Sequence, residues 1–206
     1  MKKYLFYILG VFLVAIGVSL VFFVGTGSSP YDTFTGNLAM IFNIDVGVAI
    51  IIMNCILALI YYIKHKNKDI IITYLVNIIF GSLVSLWISL FGFFLYDLSL
   101  TIIQKSMLFI CAFFIYCLGI TLIQKTSVSM MALECFVKFC HETILKKVSE
   151  PIARIIVEVS FLIVGCILSF IAVGHFGHLG ITTIVFMLLT GPIVSLFSKV
   201  IPNLSK

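Results

Sequence analysis

"MKKYLFYILGVFLVAIGVSLVFFVGTGSSPYDTFTG", residues 1–36, decides the fold. Two lysines lead into an apolar run that continues unbroken from Tyr4 to Val24. A secretory leader has an apolar region of only about 7–15 residues and a small-residue cleavage site before a polar start. Neither feature is present here. Spanning ~30 Å of hydrocarbon takes about 20 helical residues at ~1.5 Å each. The run is therefore read as an uncleaved first span, and "GTGSSPYDTFTG" as a polar interruption at its far end.

The rest of the chain supports a membrane reading. Of 206 residues, 62% are hydrophobic and 10% charged. Mean hydropathy is +1.27. A soluble domain carries about 25% charged residues. Six stretches can span: 4–24, 46–64, 70–92, 102–124, 152–173 and 179–200. Two shorter segments, 30–42 and 128–144, are too polar on one face to do so. In the second, Val128, Met131, Ala132, Cys135, Phe136 and Phe139 follow helical spacing. Glu134 and Lys138 fall on its other face, spaced for an i, i+4 ion pair.

Basic residues orient this map. With the N-terminus inside, Lys2, Lys3, Lys64, Lys66, Lys68, Lys125, Lys138, Lys146, Lys147, Arg154, Lys199 and Lys206 lie inside, and only Lys105 lies outside. Asp32, Asp45 and Asp97 lie outside. Positive charge concentrates on the cytoplasmic side of membrane proteins. Both termini are therefore predicted cytoplasmic.

The order span, short helix, span, span occurs twice. "AIGVSL" at 15–20 echoes "CLGITL" at 117–122, and "GSLVSLW" at 81–87 echoes "GPIVSLF" at 191–197. The expected fold is all-α: six transmembrane helices as two inverted three-helix repeats, about 1–97 and 98–206, in one transmembrane domain. Such repeats are a recurrent plan of secondary transporters, with a site near the midplane.

Polar residues inside the spans are the site candidates. Glu158 lies about two turns into the fifth span, where a carboxylate is costly. Arg154 is one turn earlier on the same face. Glu158 can be a proton or cation carrier or a ligand anchor, or the Arg154–Glu158 pair can be a structural lock of the bundle. Asn54 pairs with Glu158 across the repeat, and Asn77 follows Thr73 by one turn. Ser29 is a good N-cap, Pro30 suits the first helical position and Asp32 the third, which predicts a capping box with Asp32 in the acidic place. The candidate set is Ser29, Asp32, Asn54, Asn77, Arg154 and Glu158.

Several classes are excluded or unsupported. No basic cluster suits nucleic acid. HExxH, GxSxG and P-loop motifs are absent, so no enzyme is expected. No C-x-x-C occurs, and His175 and His178 on a glycine loop lack a third ligand nearby, so neither metal nor cofactor is expected.

"GTGSSPYDTFTGNLAMIFNIDVGVAI" and "ARIIVEVSFLIVG" resemble motifs of the YczE/YyaS/YitT family of bacterial membrane proteins. The matching residues are Pro30, Asp32, Gly36 and Gly47, with Tyr31 in the place of the family's tryptophan, then Arg154, Glu158 and Gly165. Gly180, Thr182, Gly191 and Pro192 are similar to its closing motif. The resemblance implies the six-span fold and the bacterial plasma membrane, and no substrate. The expected partners are the bilayer and a small solute, with a homo-oligomer left open. The expected function is a secondary transporter or exporter. The alternatives are a substrate-binding subunit of an energy-coupled importer and a non-transporting regulator or scaffold.

Overall fold

Residues 2–66, 70–95 and 100–203 are described by the computed structural model. Lys68, Asp97 and Lys206, used above for orientation, lie outside the described residues. The described residues form eight helices and no strand: α1 (Lys2–Val24), α2 (Pro30–Phe42), α3 (Val46–His65), α4 (Ile70–Leu95), α5 (Ile102–Thr126), α6 (Ala132–Thr143), α7 (Glu150–Val173) and α8 (Ile181–Val200). Six of them are long and apolar enough to cross a membrane. The chain is a multi-pass membrane protein. One end of the bundle carries Lys2, Lys64, Lys125 and Lys199 and is called the basic end below.

Between helices in lipid there is little hydrophobic drive, so small residues that allow close approach hold bundles together. α1 and α5 cross in this way at the centre. A β-carbon on Gly10 would stand 2.9 Å from the Gly119 carbonyl oxygen, and one on Gly17 would stand 3.0 Å from that of Ala112. α4 joins α1, where the Ser19 hydroxyl donates to Ala15 O at 2.8 Å and reaches Val84 O at 3.2 Å. α8 joins α5 through Phe186, which packs edge-on against Phe113 and Tyr116. α3 and α4 pack through Gly47 and Gly81. Asp45 caps α3 by accepting from Gly47 N at 2.8 Å, and also bonds the Ser85 hydroxyl.

The short helices fill the remaining space. α2 packs on α7 and α3, and α6 packs on α3 and α7. α2 does not lie on the surface as a one-sided helix: every residue from Pro30 to Asn37 is buried. Tyr31 and Phe34 meet Phe161 of α7, and Phe34 lies against Gly165. α2 therefore starts at mid-depth and climbs to the end opposite the basic one, where Phe42 is exposed. α6 also starts inside, but it runs to the basic end. There Glu142 meets Lys64 at 3.3 Å and His65 at 2.7 Å. The His65 hydrogen bond, with Lys64, holds the Glu142 carboxyl below its ordinary range.

Three expectations need correction. The second short helix covers Ala132–Thr143, not 128–144. Ser127 takes a left-handed conformation at φ 49°, and the Ser129 hydroxyl bonds Thr73 at 2.8 Å, which holds the segment extended. The last span starts at Ile181 rather than 179, because Gly180 is extended. Glu134 does not pair with Lys138; its Oε1 lies 3.8 Å from Arg154 Nη1.

Candidate functional site

All eight helices contribute to a central cavity of about 330 Å³. Its polar wall is built from the starts of the two short helices and one face of α7. Ser29 and Asp32 come from α2, Glu134 from α6, and Arg154 and Glu158 from α7, with Asn54 of α3 beside them. Its apolar wall includes Val14, Val18, Phe80, Ile120 and Phe186.

Local structure explains each placement. Ser29 Oγ accepts from the Asp32 amide at 3.2 Å, as an N-cap should. The return bond of a capping box is altered: Asp32 Oδ2 accepts from the Ser29 hydroxyl at 2.6 Å rather than from its backbone amide. Aspartate is one carbon shorter than glutamate, which accounts for the nearer partner. Arg154 Nε donates to Glu158 Oε1 at 2.9 Å, closing the i, i+4 pair. The Tyr31 hydroxyl donates to Asn54 Oδ1 at 2.8 Å. Asn54 is thus tied to α2.

Of the six sequence candidates, Ser29, Asp32, Asn54, Arg154 and Glu158 come together around this cavity. Asn77 is not part of the lining. It is fully buried in α4, and neither of its amide atoms has a hydrogen-bond partner among the described residues. Glu134, which helical spacing puts on the polar face with Lys138, joins the site. The available signal was its position: it stands third in its helix, as Asp32 does, at the spacing that relates "AIGVSL" to "CLGITL".

The site therefore holds three carboxylates and one guanidinium. Arg154 serves Glu158 and, at longer range, Glu134. Among the described residues no basic group pairs with Asp32, which is 8% exposed. Both short helices direct their N-terminal ends here, and the partial positive charge of a helix N-terminus stabilises nearby carboxylates.

The two ends of the bundle differ. A second cavity, about 460 Å³, lies toward the basic end and shares Gln124 and Glu134 with the central one. The opposite end is closed by polar contacts. The Asn37 amide donates to Gly165 O at 3.1 Å and Phe176 O at 3.2 Å, and its oxygen accepts from His178 N at 2.8 Å. The Thr182 hydroxyl donates to Gly27 O at 2.8 Å, and Gly180 lies directly on the Thr26 carbonyl. A side chain at position 180 would have no room. His178 packs edge-on against Phe22, and burial, then the neighbouring His175, holds its pKa below the ordinary value.

The chain belongs to a family of unknown function (DUF6198), whose model matches residues 1–199. No curated protein and no solved structure matches it.

Proposed function

We propose that the chain is a secondary transporter of a small solute, with the central cavity as its binding site. The observation that supports this most is a hollow at mid-depth lined by Asp32, Glu134, Arg154 and Glu158. Ionisable groups inside a membrane are costly and mark solute or ion pathways by default. A scaffold would gain nothing from a charged hollow.

We also read the two halves as inverted repeats. Each half has three spans, so a second copy must enter the membrane in the opposite sense. The helix packing supports this. α2 lies on α7 as α6 lies on α3, and α1 meets α4 as α5 meets α8. The short helices start together at the cavity and leave toward opposite ends. A site between two equivalent halves can open to either side when the halves exchange conformations. In this reading the vestibule at the basic end is the open side and the Asn37 contacts form the closed side. The distribution of lysines supports a cytoplasmic basic end. The resemblance to YczE/YyaS/YitT proteins supports a bacterial plasma membrane.

Metabolite profiling of a deletion strain tests the function. The deletion should raise or deplete a small solute. The native chain should restore it, and Glu158→Gln, produced at the same level, should not. An unchanged profile would contradict transport.

A further inference from the structure

The cavity wall is incomplete. α3 and α4 pack along each other, whereas α7 and α8 make no comparable contact among the described residues. Both helices nonetheless line the cavity. One lining residue on each is also strongly exposed: Ile155 at 51% on α7 and Leu188 at 62% on α8. A β-carbon added to Gly191, another lining residue, would meet no atom within 4 Å. The cavity thus opens sideways between α7 and α8, at the level of the apolar belt.

Its interior has two characters. One wall, from α1, α4, α5 and α8, is largely apolar, with Tyr116, Gln124 and Thr190 as its polar groups. The other holds three carboxylates against a single guanidinium already engaged by Glu158 and Glu134. Asp32 faces the cavity, and among the described residues the Ser29 hydroxyl is the one side-chain partner of its carboxylate. An anion would meet net negative charge. A strongly hydrated solute would lose water against a largely apolar wall. A cation with an apolar body satisfies both walls, and such a molecule is concentrated in the bilayer, where the side opening lies.

We propose that the site takes an amphiphilic organic cation, which enters from the membrane between α7 and α8 and places its charge beside Asp32. This rests on the transporter reading of the same cavity.

Binding of three probes to the full chain in lipid nanodiscs tests it, with empty nanodiscs subtracted. Tetraphenylphosphonium supplies charge and apolar bulk, tetraphenylborate the same shape with opposite charge, and tetramethylammonium the charge alone. Tetraphenylphosphonium should bind saturably and at least about tenfold more tightly than either other probe. Asp32→Asn should weaken it by at least about tenfold, with helical content unchanged. Gly191→Phe starts from a β-carbon with free space around it, places a ring at the opening, and should slow association by a similar factor. That variant decides the question if Asp32→Asn does not fold. Equal binding of tetraphenylborate, or undiminished affinity in Asp32→Asn together with an unchanged association rate in Gly191→Phe, would overturn the proposal. So would disulfide formation between two copies of an Ile155→Cys chain, because a second copy would then cover the opening. Equal binding of tetramethylammonium, lost in Asp32→Asn, would overturn the amphiphile class and leave transport standing. Absence of saturable binding by any probe would also overturn the proposal, while the metabolite profile decides transport separately.

Discussion

Asn37→Ala should release the closed end of the bundle. One side chain makes three hydrogen bonds there, to Gly165 O, Phe176 O and His178 N. A net hydrogen bond is worth about 1 kcal/mol. Gly165 lies inside α7, so its carbonyl loses less than the two loop groups do. The sum is roughly 2–3 kcal/mol, assigned to the closed arrangement only, because the loop atoms meet water once released. At 1.4 kcal/mol per factor of ten, the open population should rise roughly 30- to 150-fold. Amide hydrogen exchange of the protein in nanodiscs reads this directly. The His178 amide loses its own acceptor and should accelerate trivially. The informative amide is Thr183, bonded to Gly180 O at 3.0 Å, since neither group of that bond touches Asn37. It should exchange faster by the stated factor, while amides at the α1–α5 crossing stay unchanged. Acceleration confined to His178 would show that Asn37 makes a local bond and holds nothing closed.

Three other outcomes are expected. Arg154→Met leaves Glu158 and Glu134 without their cation; removing one partner of a buried pair costs about 3–5 kcal/mol, and about 2 is expected here because the side chain is a third exposed. Adding Glu158→Met should recover most of that in thermal melts, and no recovery would argue against the pair as the cause. Gly119→Leu puts a β-carbon 2.8 Å from the Gly10 carbonyl oxygen and should cost more than about 2 kcal/mol, seen as a lower melting temperature; an unchanged melt would mean that the crossing is not close-packed. Glu142 has a lowered pKa in the fold, so its contribution is present above the ordinary glutamate value of about 4.3 and is lost as pH falls through the lower folded value. The difference in melting temperature between the native chain and Glu142→Gln should therefore be present at neutral pH and vanish in acid, and a constant difference would refute the linkage.

Much of the architecture was legible because the signals were local. Apolar runs of membrane length located the spans, and Ser29 followed by Pro30 located the start of α2. The Arg154–Glu158 spacing anticipated the observed pair. The missing parts depend on tertiary direction. Glu134 and Lys138 read equally well as a surface pair, and only the inward start of α6 brings Glu134 to Arg154. Asn37 is one of several polar residues in the short segment 30–42, with nothing local to single it out. Its partners are backbone groups 128 to 141 residues away, and backbone groups leave no mark in sequence. The opening between α7 and α8 was also invisible, since both helices are as apolar as their packed counterparts. Asn77 misled for the opposite reason: a polar side chain in a span suggested the cavity, but its helix turns it into the packed interior.

The central claim is that one mid-depth site is reached alternately from the two ends. Thr190 lines the cavity and is half-buried. A Thr190→Cys chain lacking the six native cysteines can be treated with a membrane-impermeant thiol reagent from either face of oriented vesicles. The account predicts labelling from both faces, faster from the basic end, with Asn37→Ala raising the rate from the opposite end and lowering it from the basic end. Labelling from one face only, unaffected by Asn37→Ala, or from neither face, would contradict it.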